Sequence, residues 1–286
     1  MVAIDPFLYV ALAVGFLAGR IIRQRTKWIA RVLCADIVLL VFLLGASVSS
    51  VDPTTTLVAV PLALGFAGLM LAVTVAVVTV TPHTPGAEPA RTVRVPVPLG
   101  LLALGALVLG FFSGRYAPTI AAPTFLTWTL YALLALVGFD LHLERPRLRA
   151  LAVPLTAAFA GALSAAAVFS WLARVPLGES LATSLAFGWY TLSGPVVATR
   201  LGATAGLIAF LTNFFRENLT MVFSPYLGRT IGAEGITAMG GATTMDTTLV
   251  FVTTYGEERA GTLALASGLM LTVVAGVLVP LVAGLG

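Results

Sequence analysis

Charge is what this chain lacks most. Of its 286 residues 10% are charged and 59% are hydrophobic, and the mean hydropathy is +1.02. A soluble domain carries about 25% charged residues, so a soluble globular fold is excluded. Lysine is nearly missing, Lys27 being the only one, and the net charge of +4 comes from arginines in short loops. That pattern sets membrane topology and is no nucleic-acid footprint. The single cysteine, Cys34, excludes an internal disulfide and reads as a small core residue. His83 and His142 have no metal-ligand spacing, and HExxH, a partnered GxSxG and a P-loop are all absent. The chain therefore reads as a non-enzyme without cofactor or metal. No polar stretch is long enough for an extramembrane domain, the longest lying near 81–96. The first apolar segment lacks the basic flank and cleavage site of a signal peptide and reads as a retained helix.

What is present is apolar runs, at about 6–23, 28–48, 54–80, 97–113, 122–141, 150–173, 180–199, 203–225, 235–255 and 261–284. Each is near the ~20 residues that a span requires. The expected fold is an all-α polytopic membrane protein of about 8–10 transmembrane helices, with inverted repeats and two broken or re-entrant segments. Residues 1–286 form a single transporter domain: 1–95 and 96–174 are repeat-like helices, and 175–286 hold the candidate substrate site. The first loop carries Arg20, Arg23, Arg25, Lys27 and Arg31, the third Arg91 and Arg94, the fifth Arg145, Arg147 and Arg149. The positive-inside rule puts these odd loops in the cytoplasm and both termini outside. The doubtful spans are "GWYTLSGPVV" (188–197) and "MGGATTMDTTLV" (239–250), which are rich in Gly, Ser and Thr. Either can be a broken helix or a re-entrant hairpin, since non-helical backbone at membrane depth needs protein or a wet cavity around it.

"GFLAGR" (15–20) ends the first segment and "GFFSGR" (110–115) the fourth; the helices that follow end in "LVFLLGASV" (40–48) and "LLALVGFDL" (133–141). Three spans separate the copies, so they run in opposite directions. Inverted repeats of this kind are a hallmark of secondary transporters.

Ionisable residues inside a membrane are functional by default. In "NFFRENLTMVFS" (213–224), Asn213, Glu217, Thr220 and Ser224 form one helical stripe with Arg216 beside it. In the second cluster Gly240-Gly241 breaks the helix and Thr243 or Thr244 can cap a new start. Asp246, three residues beyond Thr243, has capping-box spacing at an N-terminus whose amides suit a carboxylate. Two readings stand: a capping Asp246 with an internal Arg216–Glu217 ion pair, or an accessible cation site. One guanidinium against two carboxylates leaves a single negative charge, which suits one monovalent cation or one proton. The break around Ser193 and Gly194 can present the amides of a half-helix starting at Pro195 to a substrate carboxylate, with Trp189 and Tyr190 as walls. Asp36 lies inside the second segment and can pair near Arg31; Asp140 is near a cytoplasmic end; Asp52 precedes Pro53 in an outer turn, where it could guard the exit.

"AFGWYTLSG" (186–194), "AFLTNFFRE" (209–217) and "GGATTMDTTL" (240–249) resemble the signature stretches of the lysine exporter LysO family. The resemblance implies export of lysine, and of analogues such as thialysine, across the cytoplasmic (inner) membrane. It also implies a role for intramembrane, water-accessible acids: Asp246 carries over directly and Asp52 loosely, as an outer-end acid of the second helix. The family pattern has an Asn-Asp pair ahead of Arg-Glu where this chain has Thr212 and Asn213, one carboxylate fewer. The resulting expectation is a lysine/proton antiporter in which Asp246 and Glu217 hold the substrate ammonium. Arg216 either tethers Glu217 or receives the α-carboxylate. Its partners are lysine, protons and the lipid bilayer, with no nucleic acid; a homodimer is compatible with it. The alternatives are a monovalent-cation/proton antiporter or a channel.

Overall fold

The computed structural model describes residues 6–22, 27–48, 53–81, 99–117, 123–140, 148–255 and 260–284, and the regular structure among them is entirely helical. The helices are α1 (Pro6–Ile22), α2 (Lys27–Val48), α3 (Pro53–Val80), α4 (Leu99–Tyr116), α5 (Pro123–Asp140) and α6 (Leu148–Ala173). They are followed by α7 (Leu177–Ser184), α8 (Tyr190–Leu201), α9 (Ala203–Gly240), a 3₁₀ turn (Gly241–Met245), α10 (Leu249–Tyr255) and α11 (Gly261–Ala283). Three of the helices start on a proline, α1, α3 and α5, where the fixed φ suits the first turn and the missing N–H costs nothing. Among the described residues, Leu57–Val80, Ala150–Ala173 and Gly261–Ala283 are long and apolar enough to cross a membrane. Their outward side chains are large and apolar: Leu57, Val80, Trp171 and Val277 are all more than half exposed. This is an all-α membrane protein. Asp52, His83, Arg91, Arg94, His142, Arg145 and Arg147 lie outside the described residues.

The chain forms two compact units. The first holds α1, α2, α4 and α5, with α1 packed on α5 and α2 on α4. Gly15 lies against the carbonyl of Ala135 and Gly19 against that of Phe139, so α1 and α5 run parallel, four residues on one matching four on the other. Gly110 lies against the carbonyl of Phe42 in the same way. In the repeat, Gly15 corresponds to Gly110 and Ala135 to Phe42, so equivalent glycines meet equivalent carbonyls. Small residues let membrane helices approach to this depth.

The second unit holds α3 and α6 to α11. Here α3 and α6 pack antiparallel: Phe66 stacks on Phe169 with centroids 4.1 Å apart, while Gly161 lies against Thr74 and the carbonyl of Met70. These two helices also carry the longest stretch of the repeat, "AVPLALGFAG" (59–68) and "AVPLTAAFAG" (152–161). The repeat therefore covers three helices, and its third copies belong to the second unit.

The doubtful segments are both hairpins. Helix α7 ends at Ser184, positive φ at Phe187 (50°) and Gly188 (100°) turns the chain, and α8 begins at Tyr190. Gly202 (φ 101°) turns it again, and α9 returns along α8 with Gly206 against Ala198 and Gly194 against Phe210. Ala182 of α7 clusters with Val197 of α8 and with Ala205 and Ala209 near the start of α9. Both arms thus lie toward the same end of α9, so the segment is a hairpin. The helix expected to end at 225 continues to Gly240, through a kink at Gly232 (φ 61°, ψ −169°) that divides it into 203–231 and 233–240. The second hairpin is 233–240, the 3₁₀ turn and α10. Gly228 touches the carbonyl of Tyr255 and the side chain of Ile236, so this hairpin returns to the Ile231 end of α9. Of the helices of this unit, α3, α6 and α11 are long and apolar enough to cross a membrane.

Candidate functional site

The tips of the two hairpins meet. The amide of Ala242 donates to the carbonyl of Phe187 at 2.8 Å, which joins the turn after α7 to the turn after α9. Phe187 is fully buried, edge-on to Phe159, and it holds a left-handed backbone that a bulky residue rarely adopts.

Asn213 fastens the first tip to α9. Its Oδ1 accepts from the Gly188 amide at 2.8 Å, and its Nδ2 lies within 3.1 Å of the Thr183 carbonyl, the Ser193 hydroxyl and the Ala209 carbonyl. Ser193 also donates to Ala209, at 3.3 Å. Pro195 is not the start of the half-helix that the sequence suggested. It lies within α8, whose first residue is Tyr190 and whose cap is Trp189. Gly194 faces the ring of Phe210. Tyr190 packs edge-on against Phe210 and Phe214. Trp189 packs on the core formed by α6, the first tip and α11.

Threonines fasten the second tip. Thr243 donates to the Gly240 carbonyl at 3.0 Å and lies 3.1 Å from the Thr248 hydroxyl. The Thr244 hydroxyl is 2.8 Å from the Gly241 carbonyl and 3.0 Å from that of Ala264 on α11. The expected capping box does not form. Thr243 directs its hydroxyl backward, and its carbonyl accepts from the amides of Asp246 and Thr248. Asp246 instead ends the 3₁₀ turn and bonds forward, its Oδ1 accepting from the Thr247 amide at 2.6 Å.

Thr247 is the residue that sequence reading missed. Its hydroxyl contacts Glu217 Oε1 and lies 3.2 Å from Asp246 Oδ1, so one hydroxyl stands between two carboxylates. Glu217 is 1% exposed, and its Oε2 has no protein partner. The expected stripe is real: Asn213, Glu217, Thr220 and Ser224 are all buried, and the last two bond back to carbonyls of their own helix. Of the two readings of Arg216, the ion pair with Glu217 is not formed. Arg216, the largest fully buried side chain, donates from Nη2 to the Ala238 carbonyl at 3.1 Å, while its Nε and Nη1 have no protein partner. Adjacent helical residues point about 100° apart, which separates the guanidinium from the carboxylate. Asp36 belongs to the first unit, half-buried on α2, with its Oδ2 unpartnered.

A helical membrane protein in which two hairpins meet tip to tip beside buried ionisable side chains resembles the build of secondary transporters. The family model described as lysine exporter LysO matches residues 104–283, and the chain belongs to that family. It is 28% identical over 189 residues to the lysine exporter LysO of Escherichia coli (strain K12), covering 61% of each chain. It is 29% identical over 103 residues to a Haemophilus influenzae protein named provisionally as a lysine exporter, covering 36% of this chain and 52% of that one. The chain thus spans between half and two thirds of the length of these relatives.

Proposed function

We propose that this protein exports L-lysine, and cationic analogues such as thialysine, across the cytoplasmic membrane in exchange for protons. The observation that carries the reading is the carboxylate pair around Thr247, with one oxygen of a fully buried Glu217 left unpartnered. Two carboxylates in an apolar surround need a compensating positive charge. The Thr247 amide serves Asp246 and its hydroxyl has one hydrogen to donate, which leaves Glu217 Oε2 to a cation or a proton. A substrate ammonium and a proton then compete for one place, and mutually exclusive occupancy of this kind is the basis of antiport. Asp246 and Glu217 hold the ammonium. Asn213, Ser193, Thr243 and Thr244 hold the tips that surround it, Gly194 lets α8 sit against Phe210, and Tyr190 and Trp189 close the apolar side. Asp36 and Asp52 are the further acids that the sequence reading assigns to substrate or proton binding. By the loop charges both termini are outside, the first hairpin re-enters from outside and the second from the cytoplasm.

The test is exchange of radiolabelled lysine by purified protein in proteoliposomes, with and without an imposed pH gradient. Lysine exchange that a proton gradient drives uphill is the expected result. A lysine flux indifferent to the gradient would remove proton coupling. Sodium flux without any lysine exchange would replace the reading with a monovalent-cation antiporter, and currents far above transporter turnover would replace it with a channel.

A further inference from the structure

We propose that Arg216 is the receptor for the substrate's α-carboxylate, and that it makes the site select amino acids over diamines of the same length. The proposal rests on the lysine reading above and adds what that site recognises besides the ammonium.

Arg216 is 1% exposed, and of its three nitrogens only Nη2 has a protein partner, the Ala238 carbonyl at 3.1 Å. That carbonyl belongs to the last turn of 233–240, where the helix dipole is negative and a guanidinium is well placed. One backbone carbonyl leaves most of the donor capacity of a guanidinium unused. Among the described residues no carboxylate pairs with it: Glu217, its neighbour in sequence, bonds to Thr247 instead. Buried guanidinium groups with spare donors are matched by planar anions that accept two hydrogen bonds, and a carboxylate is such an anion.

The place is as informative as the chemistry. Gly241 lies directly against the guanidinium: a Cβ built there would be 2.8 Å from Nη1, 2.9 Å from Nη2 and 2.5 Å from the Phe187 carbonyl. Arg216 therefore sits where the two tips join, against a glycine whose missing side chain makes room for it. Glu217 leaves the next position of the same helix in a different direction. The helix thus presents a cationic and an anionic receptor side by side but unpaired, the arrangement that a ligand with a carboxylate at one end and an ammonium at the other requires. A diamine supplies the ammonium and leaves Arg216 without an anion, and the penalty for such an unmatched buried group is what gives polar sites their selectivity.

The experiment is competition against labelled lysine exchange in proteoliposomes by unlabelled lysine, lysinamide and cadaverine, which keep the side-chain ammonium and differ in the carboxylate. In the intact protein lysine should compete on the order of 100-fold better than either of the others. Arg216→Met should weaken lysine and bring the three competitors level, and Arg216→Lys, which keeps the charge without the fork, should restore part of the preference. Should Arg216→Met not insert as a stable protein, the Lys variant decides alone: a preference as strong as in the intact protein removes the assignment. Lysine exchange by the intact protein with cadaverine competing equally well overturns the role of Arg216 and leaves lysine export standing. Absence of any lysine exchange overturns both.

Discussion

The two units of this protein are assembled from the same repeat and use it differently. In the first, helices meet through glycines set against carbonyls of a neighbour, Gly15 on Ala135 and Gly110 on Phe42. Thr129 satisfies its hydroxyl within its own helix, on the carbonyl of Phe125. In the second, the third repeat helices α3 and α6 share a unit with a segment whose backbone is repeatedly broken, and there the buried polar side chains bond across long stretches of sequence: Asn213 to Gly188, Thr247 to Glu217, Arg216 to Ala238. Packing that repeats needs only small residues in register. Chemistry at membrane depth needs interrupted helices, because only these bring backbone and side-chain polar groups together away from water.

The comparison fails most visibly if the carboxylates of the second unit prove dispensable. Glu217→Gln and Asp246→Asn each keep size and hydrogen bonding while removing a charge, and each is expected to lower lysine exchange by at least about 100-fold. Equal activity in either variant would return that residue to a packing or capping role. A smaller effect tests the first unit from the opposite side. Asp36 stands out there, a carboxylate inside an apolar helix with a buried, unpartnered oxygen, and in a membrane such groups mark pathways more often than scaffolds. Asp36→Asn is expected to slow exchange by roughly tenfold through that role. No change in rate would make the first unit a purely structural partner and sharpen the contrast.

The glycine contacts should act on stability and not on recognition. A methyl group on Gly15 or Gly110 meets backbone atoms of the facing helix, which cannot withdraw as a flexible side chain can. Gly15→Ala and Gly110→Ala are each expected to cost about 1–3 kcal/mol, read as a lower melting temperature in detergent, with the KM for lysine unchanged. Similar losses from the two variants would fit the equivalence of the repeat copies; a KM change would tie α1 or α4 to the substrate.

Much of this architecture was legible. Apolar runs located the long helices, and stretches rich in Gly, Ser and Thr located both breaks. The polar stripe from Asn213 to Ser224 followed from helical spacing alone. The return of each hairpin was not legible, because it depends on contacts between segments, Gly206 with Ala198 and Gly228 with Tyr255, that no local pattern encodes. Pro195 drew attention as a breaker, yet a proline six residues into a helix costs one hydrogen bond, while the actual turn needed positive φ at Phe187 and Gly188. Thr247 was hidden for a related reason. Its partner Glu217 is thirty residues away, and threonine is unremarkable in a segment full of threonines. The Arg216–Glu217 pair, one of two readings of Arg216, rested on adjacency in sequence, which on a helix sends side chains apart.

The smallest expected effect compares the third repeat helices directly. Gly68 and Gly161 end the same motif, "AVPLALGFAG" and "AVPLTAAFAG", and their surroundings differ. Nothing lies within 4 Å of a Cβ on Gly68, whereas one on Gly161 meets Thr74 and comes within 3.2 Å of the Met70 carbonyl. Replacing a helical glycine by alanine where the space is open reduces the freedom of the unfolded chain and gains about 0.4–1 kcal/mol. Gly68→Ala should therefore raise the melting temperature slightly, and Gly161→Ala should lower it, since the methyl group forces α3 and α6 apart. Opposite signs at equivalent positions would mean that the repeat duplicated a sequence motif whose two copies now bear different loads. Destabilisation by both would place an additional neighbour against Gly68, and stabilisation by both would mean that the α3–α6 contact yields easily.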